Sequence, residues 1–378
     1  MSLAFLIYKV FPFGGLQRDF LRIMHELSQR GHTCRVYCVS WQGDLPENVE
    51  VVLAPSVRGS HVRRNEQVYH WVQSELACES RCGVIGFNKM PGLDVYFAGD
   101  TCFLAEAIET RTALYRLGSR FRHFAAWEKA VFERGCATEI LLLTARERAR
   151  FVQHYQTESG RMHLLPPGVS RDRCRTESAQ TQRAQTRAEL QLRPQTLTLL
   201  FVGSDFFRKG LDRAIRSLAK LQHAHPEQDV RLLVAGQDRT YKMDLLARRQ
   251  RVRGRVEFLG GRKDVPNLLL AADILVHPAR SEAAGVVLLE ALVAGLPTVA
   301  TDVCGYASYI DTAVAGKVLP SPFKQTDLDV ALSELVDAGA REDCARTALD
   351  YSKQADLYSM HEKAADLIEG LLGQKERA

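Results

Sequence analysis

The sequence predicts an α/β protein built on two doubly wound parallel sheets, and three observations carry that prediction. Short apolar runs of strand length alternate with amphipathic segments of helix length along most of the chain. The strand-like runs are apolar throughout, which is typical of parallel strands covered by helices on both faces. A polar, turn-rich stretch at residues 165–195 separates two halves of similar size, and a chain of 378 residues suits two domains better than one.

Hydrophobic periodicity and the turn residues between segments place the elements in order. In the first half we predict helices at 16–29 and 67–78, and strands at 3–7, 34–39, 51–53, 84–87, 95–98 and 140–143. In the second half we predict helices at 211–222, 241–251, 263–271 and 285–294, and strands at 197–202, 230–235, 256–259, 274–277 and 298–301. The polar segment 171–193 is rich in Arg, Gln and Thr and has no strand character, which puts the domain boundary near 165–195. We place the domains at 1–168 and 169–355, with a last amphipathic helix in 356–378 that returns to the first domain.

Composition narrows the class of protein. A hydrophobic content of 46% and a charged content of 25% are typical of a globular domain, and no apolar run is long enough to predict a membrane-spanning helix. The amino-terminal residues have neither the basic region nor the cleavage site of a signal peptide and read as a first strand. The nine cysteines show no CxxC or zinc-ligand spacing, so we expect reduced thiols and a cytoplasmic protein.

The net charge of +5 is modest, but one segment concentrates it. Residues 111–127 contain arginines and aromatic residues and no Asp or Glu. This composition favours a surface for anionic lipid head groups. The alternative is an ordinary solvated helix whose aromatic residues pack on the domain. No groove-reading or single-strand-binding motif accompanies the segment, so nucleic acid is not expected. The residues predicted to contact the membrane are Arg111, Tyr115, Arg116, Arg120, Arg122 and Trp127.

The segment 281–297 carries the strongest chemical signal. Glu282 and Glu290, separated by seven residues, flank a small glycine-containing turn that opens an apolar helix, and a predicted buried strand precedes them. A helix amino terminus below such a loop offers free N–H groups and a positive dipole end, which suit a phosphate. Carboxylates there are better suited to accept hydrogen bonds from hydroxyls. A diphosphate together with hydroxyls describes a nucleotide sugar.

Further strand-to-helix loops point the same way. Arg208 and Lys209 follow one predicted strand of the second half, and Gly260-Gly261-Arg262 follow another, so basic groups are expected at the same sheet edge as Glu282. Gly14-Gly15 opens the first helix after the first strand, but the spacing is not that of a dinucleotide-binding motif. No metal-ligand spacing is present, so basic side chains and helix dipoles are expected to take the place of a divalent cation.

Taken together, these motifs resemble those of the retaining GT-B glycosyltransferases of family 4. The resemblance rests on Glu282 and Glu290, on Lys209-Gly210, on Gly14-Gly15 and on residues 269–273 before an apolar strand. More closely, the stretches 11–20, 86–98 and 282–285 look like the lipopolysaccharide core glucosyltransferases, which glycosylate an inner-core heptose. The likeness runs over nearly the whole chain. It implies two Rossmann-like domains facing a central cleft, an acceptor-binding first domain and a nucleotide-sugar-binding second domain.

The resemblance also implies roles for individual residues. Glu282 would bind donor-sugar hydroxyls near the reacting carbon, and Glu290 would hold the ribose. Asp19 would face the acceptor or the transferred sugar, whereas Asp100 stands where many relatives have a histidine. The residues assigned to catalysis are Glu282, Asp19, Asp100 and Lys209. Those assigned to substrate binding are Gly14, Gly15, Arg173, Arg208, Lys209, Arg262, Ala283, Ala284, Gly285, Val286 and Glu290, with Arg173 and Arg208 on phosphate and Arg262 beside the uracil.

The function expected from this resemblance is transfer of a hexose from a UDP-sugar to an inner-core heptose of lipopolysaccharide, with retention of configuration and without a metal or other cofactor. The hexose would be glucose or an N-acetylated hexosamine. The protein would then lie on the cytoplasmic face of the inner membrane. Three alternatives remain open: a UDP-sugar epimerase of the same architecture, a transferase acting on another lipid-linked acceptor, and a non-catalytic sugar- or lipid-binding module.

Overall fold

The computed structural model describes residues 1–12, 14–78 and 82–377, which form two compact units. The first unit contains Met1–Gly168 and Ser359–Ala378, and the second contains Val169–Tyr358. The chain therefore crosses between the units twice, and the second unit is continuous in sequence. Each unit has its own parallel sheet and its own buried core.

The first unit is built on a seven-stranded parallel sheet with the order β5-β3-β1-β6-β7-β8-β9. Its strands are β1 (Ser2–Leu6), β3 (Thr33–Cys38), β5 (Val49–Leu53), β6 (Gly83–Gly86), β7 (Val95–Ala98), β8 (Glu139–Leu142) and β9 (Met162–Leu164), and a small sheet pairs β2 (Lys9–Val10) with β4 (Ser40–Trp41). Its helices are α1 (Gly15–Gln29), α2 (His61–Ala77), α3 (Phe103–Thr110), α4 (Ser119–Phe132), α5 (Ala145–Tyr155) and α14 (Met360–Arg377), with α14 packed on α1.

The second unit is built on a six-stranded parallel sheet with the order β12-β11-β10-β13-β14-β15. Its strands are β10 (Leu197–Val202), β11 (Val230–Ala235), β12 (Val256–Gly260), β13 (Ile274–His277), β14 (Thr298–Thr301) and β15 (Gly316–Leu319). Its helices are α6 (Ala179–Glu189), α7 (Leu211–Ala224), α8 (Tyr241–Arg249), α9 (Val265–Ala271), α10 (Val286–Ala294), α11 (Ala307–Thr312), α12 (Gln325–Glu334) and α13 (Ala338–Gln354).

The α/β class with doubly wound parallel sheets is confirmed, and the physical reason lies in the strands. The central strands of each sheet are buried along nearly their whole length, as in β10 and β13, because helices cover both faces. In each unit the strand order reverses beside the first strand of that unit, β1 or β10. Loops on the two sides of such a reversal diverge and leave a crevice at the carboxyl ends of the strands, where ligands of this fold bind.

The polar segment 171–193, for which we predict no strand, contains a helix that the sequence analysis did not predict. Residues 179–189 form α6, which packs against α9. Arg187 of this helix is buried and donates hydrogen bonds to the carbonyl oxygens of Ala271 and Thr196, and Arg183 forms a 2.5 Å ion pair with Asp273. Two of the arginines that make the segment polar are therefore the groups that attach it to the domain.

Candidate functional site

Two loops of the second unit meet at the point where its strand order reverses. One loop, residues 203–210, leads from β10 to α7, and the other, residues 278–285, leads from β13 to α10, with β10 and β13 adjacent in the sheet. The loops approach so closely that a Cβ atom on Gly210 would lie 2.0 Å from the carbonyl oxygen of Pro278. Gly210 also has a φ of +82°, so glycine is required there for two reasons.

Lys209 and Glu282 connect the two loops. The Lys209 ammonium lies 2.6 Å from a carboxylate oxygen of Glu282, and both side chains are largely buried. A Cβ atom on Gly203 would lie 2.5 Å from Cδ of Lys209, so the lysine chain runs directly over that glycine. The two residues that the sequence predicts for opposite ends of a sugar diphosphate are thus paired with each other in this structure.

Arg208 reinforces the same junction. Its guanidinium donates a 2.8 Å hydrogen bond to the carbonyl oxygen of Ser281, lies 3.7 Å from Glu282 and forms a 3.0 Å ion pair with Asp205. In return, the Arg280 amide donates to the carbonyl oxygen of Arg208 at 2.7 Å. The loop junction therefore brings the cations Lys209 and Arg208 together with the carboxylates of Glu282 and Asp205.

The ionisation of Glu282 follows from these contacts. Burial alone would raise the pKa of this carboxyl group, but the Lys209 ammonium, His277 and the Arg208 guanidinium bring it well below its ordinary value. Glu282 is therefore an anion at neutral pH. An ionised carboxylate accepts hydrogen bonds and donates none, which suits it to hydroxyl groups.

The helix that follows Glu282 has an open amino terminus. Ala283 and Ala284 are buried, Gly285 has a φ of +79° and caps α10, and Val286 is its first residue. No side chain caps the first N–H groups of α10 among the described residues, whereas Ser60 caps α2 in the usual way. The amino end of α10 consequently presents donors and a positive dipole end next to Glu282, the partner of Lys209.

Glu290 lies one helix turn further into α10 than the open end. It is only 4% exposed, and the Arg173 guanidinium lies 3.7 Å from its carboxylate. The Nε and Nη1 atoms of Arg173 are buried and have no hydrogen-bond partner in the part of the chain described. The structure thus brings Arg173 to Glu290. Arg262, after β12, instead forms a two-bonded ion pair with Asp264 at 2.7 and 2.5 Å.

In the first unit, the structure describes Gly14 and Gly15 but not Phe13 of the same motif. Gly14 caps α1 without a side-chain hydrogen bond, and a Cβ atom there would collide with the Gln17 side chain. Asp19 is buried in α1 and lies 3.0 Å from Nε2 of His361 in α14. Asp100 is exposed just beyond β7. Asp19 is therefore partnered within the unit, whereas Asp100 faces solvent.

The predicted membrane-contacting segment is not one helix. Gly118 separates a 3-10 turn at Ala113–Leu117 from α4, so the arginines and aromatic residues of the segment do not share one helical face. Arg111, Arg116, Arg120 and Arg122 are exposed, as are Leu114 at 76% and Leu117 at 71%. Trp127 needs correction: it is 8% exposed, packs on Tyr69 and His123, and belongs to the core instead of the surface.

Sequence reasoning missed several residues around the loop junction. His277, fully buried at the end of β13, lies 3.5 Å from Glu282. Arg280 forms a bidentate ion pair with Asp212 in α7, and Arg213 donates to the carbonyl oxygens of Pro278 and Ala279. In the sequence, Arg280, Asp212 and Arg213 look like ordinary helix or loop residues. Only the position of His277 at the end of a buried strand, beside the Glu282 loop, could have marked it.

No helix in the described part of the chain is long and apolar enough to cross a membrane. No group of three or more His, Cys, Asp or Glu side chains stands close enough together to hold a metal ion within the same residues.

Comparison with known proteins places this geometry in a family. Residues 182–350 match the model of the glycosyl transferases group 1 family. The chain is 47% identical over 371 residues to the lipopolysaccharide glucosyltransferase WaaG of Escherichia coli strain K12, covering 98% of this chain and 99% of that protein. It is 29% identical over 236 residues to a D-inositol 3-phosphate glycosyltransferase of Rhodococcus jostii, covering 60% of this chain and 50% of that protein.

Solved structures agree with the sequence comparison. A crystal structure of WaaG, described as a glycosyltransferase involved in lipopolysaccharide biosynthesis, superposes with a TM-score of 0.94 at 47% identity, over 97% of this chain and 100% of that chain. Sucrose-phosphate synthase from Thermosynechococcus elongatus superposes with a TM-score of 0.78 at 16% identity, over 99% of each chain. The second likeness shows the shared GT-B fold alone.

Proposed function

The chain belongs to the glycosyl transferases group 1 family and is a sugar-transferring enzyme, and on that premise we propose that it moves a hexose from a UDP-sugar to an inner-core heptose of lipopolysaccharide with retention of configuration. The observation that carries the proposal is the Lys209–Glu282 pair at 2.6 Å, set beside the open amino end of α10. This arrangement supplies a cation and N–H donors for a diphosphate, and a carboxylate for sugar hydroxyls. The close relative WaaG supplies the acceptor class.

The donor would lie along α10. Its diphosphate would meet Lys209, Arg208 and the first N–H groups of α10. The sugar hydroxyls would bind Glu282 near the reacting carbon. The ribose hydroxyls would bind Glu290, whose carboxylate lies 3.7 Å from the Arg173 guanidinium. We place Arg262 near the uracil, where its ion pair with Asp264 would fix the guanidinium plane for stacking.

The reaction needs stabilisation of charge more than a nucleophile. As the bond between the anomeric carbon and the diphosphate oxygen breaks, negative charge collects on the departing UDP and positive charge on the anomeric carbon. Lys209, Arg208 and the α10 dipole stabilise the negative charge on UDP. The nearby carboxylate of Glu282 stabilises the positive charge on the anomeric carbon. The acceptor hydroxyl forms the new bond on the face that UDP leaves, and its proton departs with UDP. No metal ion is required in this scheme.

Roles for the first unit are less direct. Asp100, exposed at the end of β7, is suited to orient the acceptor hydroxyl. Asp19 is buried against His361, so it would act on bound sugar only through a rearrangement of that 3.0 Å contact. We therefore give Asp100 the acceptor-facing role and Asp19 the role of a residue that shapes the site.

UDP release from a panel of UDP-sugars tests the function. Each donor is supplied with and without a deacylated core oligosaccharide ending in heptose, and the anomeric configuration of the product is read by NMR. Release that depends on the acceptor with one donor supports the proposal and identifies the sugar. Isomerisation of the donor without acceptor would show an epimerase. UDP binding without release for any donor or lipid-linked acceptor would show a binding module.

We further propose that the exposed basic surface formed by Arg111, Leu114, Arg116, Leu117, Arg120 and Arg122 binds the anionic cytoplasmic face of the inner membrane. Exposed leucines among arginines offer both apolar insertion and attraction to acidic head groups. Vesicles of phosphatidylglycerol and of phosphatidylcholine test this by sedimentation. We expect R116E/R120E to abolish binding to the anionic vesicles, and R249E/R251E, an equal charge change on an exposed part of the second unit, to leave it intact. Equal binding by both variants contradicts the assignment.

A further inference from the structure

His277 is a buried, titratable group to which the reaction scheme gives no part. It is the last residue of β13, its side chain is 0% exposed, and its ring lies nearly parallel to that of Phe201 in β10, at 6.2 Å between centroids. A leucine or valine would fill such a position without leaving polar atoms unsatisfied. Neither ring nitrogen has a hydrogen-bond partner among the described residues. Such atoms are rare inside proteins and call for an explanation.

The explanation lies in the shared oxygen of Glu282. Nε2 of His277 lies 3.5 Å from Oε2, which is longer than a normal hydrogen bond, while Nζ of Lys209 lies 2.6 Å from the same Oε2. Oε2 of Glu282 therefore accepts from Lys209, and His277 is a second potential donor to the same oxygen at a longer distance. A shift of less than 1 Å would convert the contact into a hydrogen bond of about 2.9 Å.

Donor binding would change which residue donates to Oε2 of Glu282. If the proposed function is correct, Lys209 must turn toward the diphosphate and its bond to Glu282 must lengthen. Glu282 would then be an ionised, largely buried carboxylate that has lost its nearest cation. A carboxylate in that position needs another donor to keep its charge and its orientation.

The protonation state of His277 fits this task. Burial and the nearby cations Lys209 and Arg208 lower the pKa of its imidazole, so the ring is neutral at physiological pH even though Glu282 acts in the opposite direction. A neutral imidazole carries one N–H group. Placed on Nε2, the ring nitrogen that lies 3.5 Å from Glu282, that N–H could donate to the carboxylate after a small shift without adding a second charge to the site.

We propose that His277 is a positioning residue of Glu282: its Nε2–H takes over the carboxylate oxygen that Lys209 releases when Lys209 engages the donor diphosphate. Glu282 thus keeps one orientation through the exchange, and its charge remains next to the reacting carbon. This inference rests on the proposed function for the movement of Lys209. It adds a residue that touches neither donor nor acceptor.

Three variants separate a hydrogen-bond role from mere packing. H277L keeps the bulk and removes the donor, whereas H277Q keeps an N–H donor within similar reach of Glu282. H163Q, at a partly buried histidine that pairs with Glu139 in the first unit, is the control for loss of a histidine–carboxylate pair elsewhere. We expect H277L to lower kcat by about a hundredfold with a smaller change in donor KM, because misplacement of a reacting group by about 1 Å has an effect of that size. We expect H277Q to recover most of the loss.

Coupling to Glu282 gives an independent readout. In the E282Q background, H277L should cause little further loss of kcat, because there is no carboxylate left to hold. Wild-type kcat in H277L, equal losses in H277L and H277Q, or independent effects of H277L and E282Q would each overturn the proposal. Thermal melting of all variants establishes that the fold is kept.

An NMR measurement keeps the test separate from the fate of the proposed function. In protein labelled with ¹⁵N-histidine, the imidazole spectrum of His277, assigned by its loss in H277Q, should show a neutral ring protonated at Nε2. Addition of UDP should shift that proton downfield as the bond to Glu282 shortens. An unchanged or Nδ1-protonated ring overturns the inference even if transfer is active. A downfield shift in a protein that transfers no sugar would retain His277 as a partner of Glu282 and reject only the transferase.

Discussion

Arg280 forms a bidentate ion pair with Asp212, at 2.7 and 2.9 Å, and its Nη1 also donates to the carbonyl oxygen of Phe207 at 2.6 Å. The arginine belongs to the loop that carries Glu282, whereas Asp212 opens the helix behind Lys209. The planar ring of Phe207 lies 3.9 Å below the guanidinium. One side chain thus fixes the spacing of the two loops that form the site.

Weakening the Arg280–Asp212 ion pair should reduce activity without removing any proposed substrate contact. We expect Arg280→Lys to lower kcat/KM by about a hundredfold, because lysine cannot form the bidentate pair and a loop displaced by about 1 Å misplaces Lys209 against Glu282. Asp343→Asn, which breaks an exposed arginine–carboxylate pair on α13, is the control and should leave kcat/KM unchanged. Unaltered kcat/KM in Arg280→Lys would show that the loops hold their spacing by other means.

Substitution of Lys209 should reduce activity more than substitution of Arg280. Lys209→Ala withdraws the cation from the departing diphosphate, and one such donor is worth about a hundredfold to a thousandfold in kcat. Lys242→Ala, at an exposed position on α8, is the control and should have wild-type kinetics. Initial rates of UDP release measure both. Near-normal turnover of Lys209→Ala in a folded protein would remove Lys209 from the mechanism.

A methyl group should be enough to disturb the site at Gly203. Its φ of +134° is unfavourable for other residues, and a Cβ atom would lie 2.5 Å from Cδ of Lys209. We expect Gly203→Ala to displace the lysine chain and to lower kcat by about a hundredfold. Gly254→Ala, where a Cβ atom meets nothing within 4 Å, is the matched control. Equal activity of the two variants would mean that Lys209 has room to move aside.

The first unit contains a buried ion pair whose loss should affect stability. Glu128 is fully buried and accepts from Lys89 at 2.5 Å, from Tyr155 at 2.7 Å and from the amides of Phe103 and Leu104 at the start of α3. We expect Lys89→Met to lower the free energy of unfolding by about 3–5 kcal/mol, because it leaves a buried carboxylate without its cation. Lys317→Met, opposite half-exposed Glu334, should cost about 1 kcal/mol or less. Urea titration measures both.

The pH dependence of that difference has a definite sign. Burial alone would raise the pKa of Glu128, but Lys89 and the α3 amides bring it below its ordinary value in the folded protein. A depressed folded-state pKa gives stability that is present above the unfolded-state pKa of about 4.3 and is lost as the pH falls through the folded-state value. The gap between wild type and Lys89→Met should therefore narrow in acid. A gap that stays constant from neutral pH into acid would contradict this account.

What the sequence could predict depended on whether the signal was local. The strands 197–202 and 274–277 were readable because burial on both faces leaves a continuous apolar run, and the structure has β10 and β13 at those residues. The loops that carry Lys209 and Glu282 follow directly from those strands. Their meeting at the reversal of the strand order follows from the topology of the sheet.

The errors arise where a residue acts through a distant partner. The buried position of Arg187 was not predicted because its acceptors, the carbonyl oxygens of Thr196 and Ala271, are main-chain atoms that carry no signal in the sequence. Trp127 looked like a membrane anchor because its packing partner Tyr69 lies on another helix. His277 drew no attention because its contact with Glu282 spans a loop whose course periodicity cannot predict.

The two crossings of the chain between its units set an order of assembly. All of Val169–Tyr358 follows the first crossing, and α14, which completes the first unit by packing on α1, comes only after it. The contacts that α14 makes, such as Arg30 with Asp366 and Glu369, therefore join residues that lie 336 and 339 positions apart in the chain. On the ribosome, the half that carries Lys209 and Glu282 can finish folding while the half that was made first still waits for its last helix.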